Sequence, residues 1–472
     1  MIPATRFDGQ KIALFGLGGS GLCAALSLVA GGARLEAFDD NPDRCRAAAN
    51  VGIPIADLRD SDWADYEALV LSPGVPLTHP EPHWCVGLAK AAGVAIIGDI
   101  EIFERERMFH APKSRLIAIT GTNGKSTTTA LISHLLRTLG AKVAMGGNIG
   151  RAVLDFDKLS DDITYVVEYS SYQIELTPDT RPDVGILLNL SPDHLDRHGT
   201  MARYADIKSH LVEAASRHGI AIVGVDDEWC KKIATNLQQA GPGPQMVSVK
   251  HPVDDGAYAQ DGLIYIAENG KSEMIADING IETLNGAHNW QNAGAAILAL
   301  RTLGYGLDQL GEALASFPGL AHRMELVATL GGVRFINDSK ATNADAAAVS
   351  LASYDDIFWI AGGRGKEGGI DTLASSFGRI RHAFLIGEAA ENYGKSLSGK
   401  VSFTKNGDLV DAVREAARAA LDFARKNEGA RPVVLLAPAA ASFDQFANFE
   451  VRGDAFRKSV EEFAGGGAYS KG

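Results

Sequence analysis

The chain has 472 residues, 46% of them hydrophobic, and its 45 Lys and Arg against 58 Asp and Glu leave a net charge of −13. That length suits about three domains with real cores, and the composition excludes a disordered polymer. So acidic a surface excludes a general binder of nucleic-acid backbone or anionic lipid, and leaves room only for local basic pockets that take small anions.

In chain order, short apolar runs end in glycine-rich or polar turns and alternate with amphipathic stretches. KIALF leads into Gly16-Leu17-Gly18-Gly19-Ser20-Gly21, a GxGxxG turn that opens a helix, and Asp39 and Asp40 follow the next run, RLEAF. A dinucleotide site, a site for another pyrophosphate and a purely structural tight turn all share this pattern. ALVLSPGV is a further strand ending in a turn. EIFERERMFHAPKSR is a charged stretch reaching Pro112, and it predicts a linker near residues 108–113.

The strongest local signal comes next. RLIAI leads into Thr120-Gly121-Thr122-Asn123-Gly124-Lys125-Ser126-Thr127 and then a helical stretch. Small residues let backbone N–H groups face phosphate oxygens, the helix amino end adds a positive dipole, Lys125 neutralises phosphate and Ser126 offers a hydroxyl to Mg²⁺. The strict phosphate-loop pattern asks for glycine at 119, where this chain has Ile119.

Glu168 ends TYVVEYSS and His194 lies in LNLSPDHLDRHG. Each follows a strand that could flank the phosphate loop, so carboxylate and imidazole there suit a Mg²⁺ shell or substrate orientation. Lys208, in RYADIKSHL, reads on its own as a lysine on a helix surface. Residues 251–285 predict a β excursion, and Pro318-Gly319 breaks a helical segment at a second boundary.

The last third repeats the strand–turn pattern in IFWIAGGRGK, HAFLIGE and VVLLAPAAAS, with GDLVDAVREAARAALDFARKN as an amphipathic helix. His322-Arg323, Asn337-Asp338-Ser339-Lys340-Ala341-Thr342 and Gly362-Gly363-Arg364-Gly365-Lys366 form a polar series suited to an anionic substrate or a γ-phosphate. GGGAYSKG reads as a frayed tail. The fold class is α/β, with a largely parallel sheet whose carboxyl-terminal ends carry functional loops. Cys23, Cys45, Cys85 and Cys230 are scattered without CxxC spacing, which suits a reducing compartment. With no signal-peptide pattern and no run of about 18 apolar residues, the expected location is cytoplasmic.

Taken together, GTNGKST, GNIG, EYSSYQIE, DHLDRHG, GAHNWQN, AHR, NDSKATN and SFDQFANFEVRG resemble the Mur ligase family along nearly the whole chain. The last motif, with NDSKATN, resembles the branch that adds D-glutamate. The resemblance implies three domains. Residues 1–110 would be a Rossmann-like domain for a UDP-sugar, 111–318 a central phosphate-loop domain for ATP, and 319–472 a Rossmann-like domain for the amino acid. The implied reaction joins D-glutamate to UDP-N-acetylmuramoyl-L-alanine at the cost of ATP, in making a peptidoglycan precursor. Its partners would be these small molecules, with no nucleic acid or membrane, and the chain would be a monomer.

The resemblance also implies residue roles. Gly121, Thr122, Asn123, Gly124, Lys125, Ser126 and Thr127 would hold ATP phosphates, with Asn289 and Asn292 on the adenine side and Arg323 and Asp338 also reaching the nucleotide. Two Mg²⁺ ions are implied, one near Ser126 and Glu168 and one served by His194 and a carbamylated Lys208. Lys125, His194 and Lys208 would be catalytic. Gly18, Gly19, Ser20, Asp39, Ser72, Pro73, Gly74 and Asn148 would contact the UDP-substrate, and Thr342, Lys366, Ser442 and Phe449 would surround D-glutamate. Two departures bear on that last pocket: Arg364 stands where relatives often have an acid, and APAAAS where serine and cysteine are common. The competing readings are another Mur ligase or a folylpolyglutamate synthase, a nicotinamide-dependent oxidoreductase built on the first glycine turn, and a non-catalytic nucleotide-binding module.

Overall fold

A computed structural model describes residues 1–306, 310–365 and 368–465. They divide into two compact units, which meet in sequence at Phe317 and Pro318. The tail GGGAYSKG lies almost wholly outside the described residues, as does Lys366.

Among the described residues the first unit holds two sheets. The smaller contains β1 (Lys11–Phe15), β2 (Arg34–Phe38), β3 (Ala68–Leu71) and β4 (Ala95–Ile97) in the order β2-β1-β3-β4, all parallel. The chain leaves β1 to one side for β2 and returns to the other for β3, so a crevice opens at the carboxyl ends of β1 and β3. The glycine turn and Ser72–Gly74 sit there.

The larger sheet contains β5 (Arg115–Thr120), β6 (Lys142–Gly147), β7 (Ile163–Glu168), β8 (Val184–Leu187), β9 (Ile220–Gly224), β10 (Gln245–Ser248), β11 (Gly256–Gln260), β12 (Leu263–Glu268) and β13 (Lys271–Asp277). Their order is β13-β12-β11-β10-β9-β8-β5-β7-β6. From β6 to β11 the strands are parallel, and β11, β12 and β13 form the antiparallel excursion expected at 251–285. β5 lies between β7 and β8, where the direction of winding reverses, so its carboxyl end at Thr120 is the point at which such sheets bind ligands. Every residue of β8 is buried, and only Arg115 of β5 is exposed, as in a parallel sheet covered on both faces.

The charged stretch before Pro112 is mostly a helix, Asp99–His110, and its charges are inside: Glu101, Glu104, Glu106 and Arg107 are buried. They are paired, which is what permits it. Arg107 Nη2 donates to Glu104 Oε2 at 2.9 Å, and Arg105 Nε to Glu101 Oε1 at 2.8 Å. Glu106 accepts from Thr5 Oγ1 at 2.9 Å and from the Arg6 N–H at 2.6 Å.

Asp99 differs from its neighbours, because its Oδ1 is buried with no hydrogen-bond partner. Burial pushes its carboxyl from 3.8 up to about 6. The folded chain thus holds this proton more tightly than the unfolded one, and stability is lost as pH rises from about 4 to 6. Asp99→Asn is expected to remove about 2 kcal/mol of that dependence between about pH 4.5 and 7.5. Thermal unfolding of wild type and variant at pH 4.5 and 7.5 measures it, and an unaltered pH difference counts against the assignment.

The second unit is built on β14 (Glu325–Leu330), β15 (Val333–Asn337), β16 (Ile357–Gly362), β17 (Ile380–Ile386), β18 (Phe403–Lys405) and β19 (Val433–Leu436). Their order is β14-β15-β19-β16-β17-β18, with β14 antiparallel to β15 and the other described pairs parallel. The helix Leu409–Lys426 turns Leu409, Ala412, Val413, Ala416, Ala417, Ala420 and Leu421 inward at three- and four-residue spacing, as its sequence requires. Among the described residues no helix is long and apolar enough to cross a membrane.

Candidate functional site

The phosphate loop leaves β5 at Thr120 and enters the helix Lys125–Thr138. Its shape is fixed from the neighbouring strand end. Thr122 N–H donates to Asn189 O at 2.8 Å, Asn123 N–H to Asn189 Oδ1 at 2.9 Å, and Asn189 Nδ2 returns to Asn123 O at 3.2 Å. Asn189 Nδ2 also reaches Gln291 Oε1 at 3.1 Å. Sequence reasoning missed both Asn189 and Gln291, although LNLSP and GAHNWQN carry them. An asparagine directly after a buried strand beside a glycine loop was the available signal.

Gly124 has φ +82, and a Cβ there would stand 2.3 Å from Asn292 Oδ1. Asn292 is buried against the loop, and its Nδ2 donates to Asn289 Oδ1 at 3.1 Å, so the two asparagines expected on the adenine side are paired. Lys125 Nζ donates to Gly121 O at 3.0 Å and Thr122 O at 2.8 Å. Gly124→Ala combines a disfavoured backbone with a collision at Asn292. It is expected to raise KM for ATP at least about tenfold. Steady-state kinetics checks this, and an unchanged KM would remove Gly124 from the site.

Beside the loop, Glu168 and Asn148 come together, Lys208 reaches the strand end at Thr120, and His194 contacts Tyr172 and Asp193. Glu168, at the end of β7, is 1% exposed. Its Oε1 accepts from Asn148 Nδ2 at 2.8 Å, and its Oε2 is buried without a partner. A buried carboxylate oxygen with no donor calls for a cation or a donor from a ligand.

Lys208 corrects the reading of a surface lysine. It lies on the helix Met201–His218, is 1% exposed, and its Nζ donates to Thr120 Oγ1 at 2.9 Å. Thr120 Oγ1 in turn donates to Tyr169 O at 2.9 Å. Burial first, then the charge of Lys125, holds the Lys208 amine well below the ordinary lysine range. Gly185 lets the helix come so close: a Cβ there would stand 2.6 Å from Ala215 Cβ.

His194 has a half-exposed side chain and left-handed backbone, φ 52. It begins the short helix Leu195–His198 and lies 5.2 Å from the Tyr172 ring. Ser126 and Thr127 take the first turn of their helix, partly exposed. Among the described residues no three His, Cys, Asp or Glu side chains converge as a metal cage. The oxygen donors present, Glu168 and the Ser126 hydroxyl, instead suit Mg²⁺ held jointly with phosphate oxygens.

At the smaller sheet, Gly21 is required by packing, since a Cβ would stand 1.9 Å from Gly16 O. Nothing lies within 4 Å of a Cβ at Gly18 or Gly19, so these face open space, and Ser20 adjoins them. Asp39 is buried and engaged with backbone: Oδ2 accepts from Leu17 N–H at 2.7 Å and Oδ1 from Asn41 N–H at 2.8 Å. It thereby holds the glycine turn. Ser72, Pro73 and Gly74 follow β3, with Ser72 N–H donating to Phe15 O at 3.0 Å.

In the second unit, Asp338 is buried and accepts from Met324 N–H at 3.3 Å and from Ser350 Oγ. Burial raises its carboxyl pKa, opposed by Ser350 and by the charge of Arg323. Thr342 N–H bonds Lys340 O at 2.8 Å. Phe449 O accepts from Ser339 Oγ at 2.8 Å, and its ring lies 4.0 Å from Lys340 Nζ. Ser442 is buried at the start of the closing motif.

The residue that joins these segments, Arg452, was not singled out from the sequence. It is 1% exposed and donates to Ser339 Oγ at 3.0 Å, Ser339 O at 2.9 Å and Ala440 O at 3.1 Å. The two departures noted in the sequence are also neighbours, because Arg364 and Ala441 exchange backbone hydrogen bonds of 2.8 and 3.0 Å.

Comparison with known proteins adds an independent line. The Mur ligase middle domain matches residues 119–300, and the Mur ligase, glutamate ligase domain matches 322–440. The chain is 55% identical over 465 residues to the UDP-N-acetylmuramoylalanine–D-glutamate ligase of Rhizobium meliloti (strain 1021), covering 98% of this chain and 99% of that one. It is 54% identical to the enzyme of the same name from Agrobacterium fabrum, covering 98% of each. Among solved structures, the UDP-N-acetylmuramate-alanine ligase of Thermotoga maritima shares the fold, with TM-score 0.55, 19% identity, and coverage of 97% of this chain and 100% of that one. The MurF ligase of Thermotoga maritima in complex with ADP aligns with TM-score 0.54, 17% identity and 97% of each chain.

Proposed function

The chain belongs to the Mur ligase family, and from that premise we propose that it joins D-glutamate to UDP-N-acetylmuramoyl-L-alanine with ATP. The observation that carries this reading is the full-length likeness to D-glutamate ligases. The first unit is built in keeping with it. A crevice with open glycines suits a UDP-sugar, and a phosphate loop at the turning point of the larger sheet suits ATP.

The chemistry follows from charge. A carboxylate is a poor acceptor for an amine, so the muramoyl-alanine carboxylate first takes the γ-phosphoryl group and becomes an acyl phosphate. The amine of D-glutamate adds to that carbonyl, and the tetrahedral intermediate collapses with loss of inorganic phosphate. Lys125 and the loop N–H groups hold the phosphates in line, and Asn148, fixed by Glu168, orients the alanine end. Mg²⁺ bound at Glu168 and Ser126, with a second ion served by His194 and Lys208, would offset the repulsion between carboxylate and phosphate. Arg323 and Asp338 are assigned to the nucleotide, and Thr342, Ser442, Phe449 and Lys366 to D-glutamate. The three working parts are 1–110, 111–318 and 319–472, in a cytoplasmic monomer.

We assign Lys208 a carbamate. Burial disfavours the ammonium form of this amine, which favours the lone pair that attacks CO₂. The new N–C bond forms as one C=O pair moves to oxygen, and nitrogen sheds a proton, leaving an anionic ligand where an ammonium could not serve.

Phosphate release from ATP with UDP-N-acetylmuramoyl-L-alanine, screened against D-Glu, L-Glu, L-Ala and diaminopimelate, tests the function. Release dependent on D-Glu is expected. Release with another amino acid alone, or with none, overturns the assignment.

A further inference from the structure

Arg197 is a charged side chain that the reaction above does not use, yet it is held on several sides. Its Nη1 donates to Gly74 O at 3.0 Å, across from the smaller sheet's β3 turn. Its guanidinium lies over the Tyr172 ring, 4.7 Å from the centroid, and its Nε is buried with no partner. A strongly donating group thus links the Ser72–Gly74 turn to Tyr172 and the short helix Leu195–His198.

From Tyr172 the contacts continue toward the phosphate loop. The Tyr172 ring touches His194 and stacks on His198, with centroids 5.2 Å apart in each pair. His198 is fully enclosed, held by Ser171 Oγ at 2.9 Å, and its ring lies 5.5 Å from that of Tyr204. Tyr204 OH then shares a 3.2 Å hydrogen bond with Thr122 Oγ1 inside the phosphate loop. A second contact braces the near end, because the His79 ring packs where a Cβ of Gly199 would stand, 2.7 Å from Nε2.

We propose that Arg197 is a positioning residue that couples occupancy of the Ser72–Gly74 turn to the order of the phosphate loop, so that the UDP-substrate and ATP each tighten the other's binding. The inference rests on the function proposed above. A UDP-sugar seated on the turn holds the Gly74 carbonyl in place as acceptor, which keeps Arg197 over Tyr172 and the short helix Leu195–His198 in register. With the turn empty, that acceptor is free to move. By linkage the effect on the two ligands must be equal in size.

The test is equilibrium binding of a non-hydrolysable ATP analogue with Mg²⁺, with and without saturating UDP-N-acetylmuramoyl-L-alanine. Wild type is expected to bind the analogue at least about fivefold tighter when the UDP-substrate is present. In Arg197→Ala that ratio should fall below about twofold, while affinity for the analogue alone stays within about twofold of wild type. Arg197→Lys, which keeps a donor but loses the flat stacking face, should fall between. A wild-type ratio of one, or an unchanged ratio in both variants, overturns the inference and leaves the proposed function standing. An equal loss of analogue affinity with and without UDP-substrate also overturns it, since that marks a merely structural role. If wild type does not bind the UDP-substrate at all, the function itself fails and the inference falls with it.

Discussion

Lys208→Ala is expected to lower kcat for D-glutamate-dependent phosphate release about a thousandfold, the scale on which a group stabilising transition-state charge is lost. The truncation leaves a small space facing Thr120 Oγ1 and the Tyr204 ring, the groups that Lys208 Nζ now touches. A short carboxylate entering that space would restore the missing oxygen ligand, so added formate or acetate should recover part of the activity. The same acids should do nothing for wild type. Loss of less than about tenfold would show that the lysine carries no ligand of consequence. A wild-type enzyme in ¹³C-bicarbonate that shows no carbamate resonance would count directly against the modified side chain.

Arg452→Ala is expected to be the most damaging change to stability in the second unit. Among the described residues Arg452 has no carboxylate in hydrogen-bond contact; its donors go to Ser339, Ala440 and Gly362. Burial pulls its pKa down to about 10, which still leaves it charged at neutral pH. Truncation orphans several buried acceptors at once, a cost of about 3–5 kcal/mol. That corresponds to roughly 10 °C in the unfolding temperature of a unit this size. Differential scanning calorimetry of the whole chain measures it, with amide exchange in β16 and β19 reporting which unit has loosened. A shift under about 2 °C would mean the carbonyls find other donors.

Much of the architecture was legible because it depends on local pattern. KIALF, RLIAI, TYVVE and VGIL are apolar runs ending in turns, and each is a strand of a parallel sheet. The loop from Gly121 to Ser126 was legible for the same reason, since its chemistry lies in consecutive residues. What sequence could not give is partnership across distance. Glu101, Glu104 and Arg107 look like a solvated helix, and only the fold shows that each buried charge faces another group. Asn189 fixes a loop 66 residues earlier in the chain, and Arg452 reaches back 113 residues to Ser339. Lys208 was misread from its residue type alone, although Tyr204, Leu211, Val212 and Ala215, four residues before and three, four and seven after, set it on the buried face of its helix. Asp39 is likewise tied across distance, its Oδ2 accepting from Leu17 N–H in the glycine turn 22 residues earlier.

The missing side chain at Gly185 has a mechanical meaning. Between a strand and the helix laid over it, side chains normally act as spacers. Here the gap is gauged by the Ala215 methyl and by Leu211 O, which a Cβ at 185 would approach to 3.1 Å. The lysine two turns earlier on the same helix is a lever of fixed length, so the seating depth of its support decides where its tip ends. A spacer only one methyl thick would lift that tip away from Thr120 toward water, where an amine prefers to be an ammonium. The reactivity of position 208 is in this sense set by a hydrogen atom at position 185.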